Sequence, residues 1–283
     1  MRRRSIYYGG PGALHFYARL VLIFALGGVG GLLLPGCQPQ VATDVPQSLR
    51  TQELGAGPPN VLIIVVDDAG FSDLGFTGSE IPTPNIDALA SEGIVLTNFH
   101  TAPTCSPTRS MLLSGVDSHV AGLGNMFEEL APNQKGQPGY EGYLHERVAP
   151  LPALFQDAGY QTFMSGKWHL GLTQEQGPTQ RGFDQAFALL QGGAGHFSDM
   201  QSLWETESGN RGKAKYRENG KLLDQLPDNF EYSSQFYVDQ LIDYIEQHVA
   251  STAEAKTPFF AYLAFSAPHW PLQAPPDAIA RHK

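Results

Sequence analysis

The chain has 283 residues, 42% of them hydrophobic and 16% charged, and a formal net charge of −10. That is enough to bury a sizeable core, and the composition excludes a disordered tail or a polytopic membrane protein. The acidic balance argues against a nucleic-acid partner and requires any anion site to be made locally positive by arginine, lysine or a metal.

Only two cysteines occur, which excludes a disulfide-stapled mini-protein. At the amino terminus, Arg2, Arg3 and Arg4 precede an apolar run of fifteen residues from Leu20 to Leu34. The run is too short and glycine-rich for a membrane span and reads as a secretory signal over residues 1–36. Its end, Leu34-Pro35-Gly36-Cys37, resembles a bacterial lipoprotein signal, in which Cys37 is lipidated and anchors the chain to a membrane. The plainer alternative is an ordinary cleaved signal with an incidental Cys37. Both send the chain out of the cytoplasm, to the periplasm or the cell surface. Residues 37–58 are polar, rich in Pro, Gly, Thr and Gln, and read as a flexible tether.

From residue 59 a single domain is expected. Val61 to Val66 is an apolar, β-branched run without alternation, the pattern of a strand covered on both faces. Thr83-Pro84 predicts a helix start, with Ile86, Leu89 and Ala90 at helical spacing and Gly93 as the stop. Ile94 to Phe99 reads as a second strand. Leu151 to Ala158 reads as a short helix stopped by Gly159, and Tyr160 to Met164 as the next strand. Residues 200–232 read as an insertion loop or small hairpin. A longer helix is predicted over Gln235 to Val249, with Tyr237, Leu241, Tyr244, Ile245 and His248 on one face, and a buried strand over Phe259 to Phe265. This alternation predicts an α/β fold with a mainly parallel central sheet flanked by helices.

Ligands of open α/β sheets bind beyond the carboxyl ends of the strands. Asp67 and Asp68, His100 to Arg109, Lys167 to His169 and Ser266 to His269 follow the predicted strands. The adjacent carboxylates Asp67 and Asp68 suit a hard cation, though a pair of aspartates also commonly forms a turn. Ser106 reads as the cap of a helix starting at Pro107. That puts Cys105 at the helix's positive end, where thiol pKa values fall, with Arg109 one turn on to reach an anion held there. Two chemistries fit these residues. One is a thiolate nucleophile, although the phosphate loop of cysteine phosphatases needs a longer spacing. The other is a cysteine oxidised to a formylglycine aldehyde. His196, in Gly-Gly-Ala-Gly-His, is a weaker candidate for a substrate contact.

Cys105-x-Pro107-x-Arg109 followed by Leu113-Ser114-Gly115 resembles the signature of the type I sulfatases, the arylsulfatase branch of the alkaline-phosphatase-like fold. Pro59 to Asp68 with Gly70, Thr83 to Ala90, Gly166-Lys167-Trp168-His169-Leu170-Gly171, Gly182-Phe183-Asp184 and Ala267-Pro268-His269-Trp270-Pro271-Leu272 resemble that family's other landmarks, in order. The resemblance implies that Asp67, Asp68 and Cys105 ligate Ca²⁺ (Mg²⁺ fits less well), and that Cys105 acts as a formylglycine hydrate made by a maturation enzyme. It further implies that Arg109 orients the hydrate and offsets its charge, and that Lys167 bridges it to the sulfate. His169 would take a proton from its second hydroxyl, and His269 would contact the sulfate and the leaving oxygen. The implied substrate is a sulfate monoester, and the implied activity a sulfuric ester hydrolase.

The resemblance also implies metal ligands and a lysine well past His269, which the 283 residues do not contain. The expectation is therefore a catalytic domain over residues 59–283 truncated before its carboxy-terminal part, with reduced or no activity. Two alternatives stand beside it: a phosphonate or phosphate monoester hydrolase of the same superfamily, and a non-catalytic truncated lipoprotein.

Overall fold

The computed structural model describes residues 57–205, 211–251 and 257–281, all within a unit spanning Glu53–Lys283. The leader, Cys37 and the tether up to residue 56 lie outside the described residues. In chain order the elements are β1 (Val61–Asp67), α1 (Pro84–Glu92), α2 (Cys105–Ser114), α3 (Leu151–Asp157), β2 (Gln161–Lys167), β3 (Gln185–Leu189), β4 (Gln201–Glu205), β5 (Arg211–Lys213), β6 (Tyr216–Glu218), β7 (Lys221–Leu222), α4 (Ser233–Ser251), β8 (Phe259–Pro268) and α5 (Pro276–Ala280). Six strands form one sheet in the order β1-β8-β2-β3-β6-β7. The first four are parallel, and β6 and β7 extend the sheet as an antiparallel hairpin. The expected mainly parallel α/β architecture is present. The predicted insertion at 200–232 holds that hairpin and a separate two-stranded sheet of β4 and β5.

Side chains of successive strand residues point to opposite faces, so β8 feeds two cores. Phe260, Tyr262 and Ala264 pack with Met164, Trp168 and Phe183 on one side. Ala261 and Leu263 pack with Phe163, Phe187 and the α4 residues Tyr237 and Leu241 on the other. Of the predicted α4 face, Tyr237, Leu241, Tyr244 and His248 are buried and Ile245 is partly so. This burial, rather than helix propensity, is what holds a nineteen-residue helix on the sheet.

Two expectations fail on the β1 side. Val61, Ile63 and Val65 face the core, but Leu62, Ile64 and Val66 are 50%, 51% and 42% exposed. β1 is an edge strand, and among the described residues nothing covers its second face. Residues 94–99 form no strand. Ile94 is 90% exposed, so the apolar run finds no core among the described residues. Helix α1 forms as predicted, but it buries no residue. It is tied to the 3-10 turn Gly75–Thr77 instead, through Phe76 N–H to Asp87 Oδ1 at 2.9 Å. Thr83 is the N-cap residue of α1, as its sequence position predicts, but its side chain makes no capping hydrogen bond. Its hydroxyl accepts from Gly75 N–H at 2.8 Å and donates to Asp87 Oδ1 at 2.7 Å.

One glycine brings β2 close to β8 beside the strand ends that carry the site. Gly166 has φ 118, and a Cβ there would lie 1.9 Å from the carbonyl oxygen of Ala264. Only a residue without a side chain permits that approach, and it places Lys167 at the end of β2.

Candidate active site

Asp67 ends β1 and Lys167 ends β2, on either side of β8. Both side chains are buried, and Lys167 Nζ donates to Asp67 Oδ2 at 2.5 Å. Arg109 enters from α2 and is 1% exposed. Its guanidinium donates to Asp67 Oδ1 at 3.0 Å and to the Lys167 carbonyl at 3.0 Å, and lies 3.5 Å from the Tyr262 hydroxyl. Burial alone would push the Asp67 carboxyl up, but the charges of Arg109 and Lys167 overcome it and hold the group below its ordinary value. Arg109 is thus committed to Asp67 and the β2 backbone, rather than open toward an anion at the helix terminus as expected.

Helix α2 starts two residues earlier than predicted. Cys105 is its first residue and Thr104 its N-cap, so Ser106 and Pro107 lie within the first turn, both buried. Cys105 keeps the predicted place at the positive helix end and is a free, partly exposed cysteine. The expected fall in its pKa does not follow. Burial pushes the thiol up, and the nearby Asp67 carboxylate adds to the rise. The opposing pull of Lys167 and Arg109 does not cancel them. A thiol so placed is a poor thiolate nucleophile at neutral pH, which weighs against the cysteine-phosphatase chemistry.

Two histidines follow the strands that flank this cluster, His169 after β2 and His269 after β8. His169 follows β2 with φ 55, the left-handed region that outside glycine favours Asn, Asp and His. Its Nε2 lies 3.1 Å from Glu128 Oε2, while its Nδ1 is buried without a hydrogen-bond partner. An ionised carboxylate only accepts, so Nε2 carries the hydrogen and Nδ1 presents a lone pair. Burial pulls the His169 pKa down against the lifting hydrogen bond of Glu128, which keeps the ring a neutral base near neutral pH. Glu128 has a pKa held low: burial raises it, but the hydrogen bond and charge of His169 and the backbone N–H groups outweigh that. It sits in the 3-10 turn Phe127–Glu129, 41 residues before its partner. Nothing in its sequence context singles it out, since only the fold brings it to His169.

His269 follows β8. Its Nδ1 donates to the Trp270 carbonyl at 2.6 Å, which leaves Nε2 for the cleft, 3.7 Å from Asp68 Oδ2. Asp68 itself is half exposed, with φ 62. Ligand atoms of Asp67, Cys105 and His269 all lie within 4.8 Å of one another, a grouping compatible with a metal ion. Asp67, Arg109, Lys167 and Cys105 form one cluster, with His269 and Asp68 at its open side, and His169 lies near enough to feel the charges of Lys167 and Arg109. His196 is not a substrate contact of the expected kind. It is 2% exposed, and both ring nitrogens are engaged by neighbouring protein atoms. Trp168 is fully buried packing, whereas Trp270 is half exposed beside His269.

A family model described as sulfatase matches residues 59–283. The chain belongs to the sulfatase family. An uncharacterised sulfatase of Schizosaccharomyces pombe is 50% identical over 228 residues, covering 80% of this chain and 40% of that protein. An arylsulfatase of Klebsiella aerogenes is 42% identical over 225 residues, covering 80% of this chain and 46% of that protein. Among solved structures, Ps i-CgsB in complex with a neocarrahexaose superposes with a TM-score of 0.65 at 29% identity, covering 80% of this chain and 48% of that one. This sulfatase chain therefore spans somewhat less than half the length of each of these relatives.

Proposed function

We propose that the protein hydrolyses sulfate monoesters at the cluster of Asp67, Cys105, Arg109, Lys167, His169 and His269. The observation that carries this reading is the environment of position 105. A residue at a helix amino terminus lies against a buried Lys167–Asp67–Arg109 network and within ligand distance of His269, whose Nε2 is left for the cleft.

Two carboxylates, Asp67 and Asp68, balance the two cations Arg109 and Lys167. An anionic ester needs more positive charge than that balance supplies. The adjacent carboxylates, with an oxygen at position 105, offer the hard donors that suit a divalent cation. Asp67, Asp68 and residue 105 would hold Ca²⁺, which would supply positive charge against the sulfate oxygens. Formylglycine at position 105 would supply a hydrated carbonyl as the oxygen nucleophile, which the raised thiol pKa does not offer.

The chain's own groups do the rest. Lys167 is held rigidly by Asp67 and directs its remaining N–H donors toward the space beside residue 105, where they meet sulfate oxygens at no reorganisation cost. His169 takes a proton at Nδ1, made a lone pair by Glu128. His269 meets the ester with Nε2, which donates to the leaving oxygen when the ring is protonated. Arg109 holds Asp67 and the end of β2 in place.

The test is turnover of 4-nitrophenyl sulfate against 4-nitrophenyl phosphate by the protein at its full encoded length, with peptide mass mapping of position 105. Expected are a marked preference for the sulfate, an aldehyde at 105, and loss of activity in Cys105→Ala and after chelation by EGTA. Turnover undiminished in Cys105→Ala would end the proposal. Export with a lipid on Cys37 belongs to the same proposal and is supported by the leader's sequence. Incorporation of an alkyne palmitate label should be lost in Cys37→Ser, and labelling that survives this change would refute the anchor.

A further inference from the structure

We propose that His196, with the segment Gly193–His196 after β3, positions His269. The proposal rests on the sulfatase reading only for the role of His269. His196 Nε2 lies 3.0 Å from the backbone carbonyl oxygen of His269. A carbonyl can only accept, so Nε2 carries the hydrogen. Its Nδ1, 3.0 Å from Ser233 Oγ, then accepts from that hydroxyl, with Ser266 Oγ 3.5 Å away. The ring is buried and its own backbone is fixed. His196 N–H donates to Gln273 Oε1 at 2.8 Å, and Ser233 N–H donates to the His196 carbonyl at 2.8 Å. His196 therefore joins the start of α4 to the loop that follows β8, and holds that loop at the residue whose ring faces the cleft.

One further contact comes from the same segment. A Cβ on Gly193 would lie 3.2 Å from His269 Cε1 and 2.3 Å from Leu203 Cδ1, so the bare backbone at 193 provides the seat for the imidazole. One short stretch thus sets both the carbonyl and the ring of His269. This is the role of a group acting through another residue: His196 has no nitrogen left for a ligand.

The test is a double-mutant cycle with a rescue. His196→Ala leaves the His269 carbonyl without its donor, and a shift of about 1 Å in His269 should lower kcat/KM for 4-nitrophenyl sulfate about 100-fold. His196→Gln keeps an N–H near the position of Nε2 and should stay within about fivefold of wild type. In a His269→Ala background, His196→Ala should cost no more than about a further threefold, because the two act as a unit. A further loss near 100-fold there would overturn the proposal, as would a Gln variant no better than Ala. Side-chain ¹⁵N NMR of histidines needs no turnover. His196 should appear as the neutral Nε2–H form, and the His269 ring signals should move in His196→Ala and return in His196→Gln. A Nδ1–H form of His196, or His269 signals that stay put, would overturn the contact. If His196→Ala does not fold, the wild-type tautomer and the Gln variant still decide. A wild-type protein inert toward sulfate esters, but with these NMR features present, would instead remove the sulfatase reading and leave the His196–His269 contact standing.

Discussion

Arg109→Ala is expected to destabilise the protein by about 3–5 kcal/mol, the usual cost of removing one partner from a buried ion pair. The size follows from what the change strands. Asp67 would keep Lys167 but lose the donor to Oδ1, and the Lys167 carbonyl would lose the donor that ties α2 to the end of β2. The exposed pair between Arg281 and Asp277, at a similar 3.0 Å, makes the contrast. Arg281→Ala should change stability by less than about 0.5 kcal/mol, since solvent screens both charges. Acid sensitivity should move in a stated direction. The Asp67 pKa is depressed in the folded protein, so its contribution is present above the unfolded carboxylate value and is lost as pH falls through the folded one. Without Arg109 the burial effect is opposed by Lys167 alone, and the loss of stability on acidification should begin at higher pH. Urea unfolding between neutral and acidic pH measures both. A variant within about 1 kcal/mol of wild type, with an unchanged acid profile, would mean that the guanidinium does not hold the cluster together.

Much of this was legible in the chain because it is local. The runs at 61–66 and 259–265 are dense enough in β-branched and aromatic residues to declare strands, and the stripe Tyr237, Leu241, Tyr244, His248 declares α4 by its period. Placing chemistry at strand ends then brought Asp67, Lys167 and His269 to one edge of the sheet. What failed depended on neighbours. The stretch 94–99 has strand composition, but no strand beside it among the described residues. Val61 to Val66 reads as doubly buried, although only its odd-numbered residues find a core. The start of α2 was misplaced because Ser106 and Pro107 are good cap and first-turn residues in isolation, whereas the backbone at Thr104 is already extended and ends the preceding segment. The thiol pKa at Cys105 was misjudged because helix-terminus position is visible in sequence while burial is not. Glu128 was invisible for the same reason. Its neighbours Phe127 and Glu129 are exposed, and nothing in a three-residue turn announces that one carboxylate of two points inward.

That carboxylate gives the sharpest test of the site's chemistry. Glu128→Gln should lower kcat for 4-nitrophenyl sulfate by about 10²–10³-fold with KM little changed, because it alters proton transfer rather than substrate contact. The amide is nearly the same size, so the loss arises from the tautomer. A carboxylate accepts only from Nε2–H and leaves a lone pair on Nδ1, whereas an amide turned to donate to Nε2 puts the hydrogen on Nδ1 and blocks it as a base. The pH profile should move as well. Burial already pulls the His169 pKa down, and Glu128 is the main group lifting it. Without the carboxylate the pKa falls further, and since a base must be unprotonated to act, the acidic limb of kcat/KM should shift to lower pH even as the plateau drops. Loss of the plateau without that shift would point to simple misfolding of the turn. Glu129→Gln, one residue on and exposed, controls for surface charge and should stay within about twofold of wild type. A Glu128→Gln protein with wild-type rates and an unmoved acidic limb would show that His169 does not serve as the base through Nδ1, whatever else position 105 does.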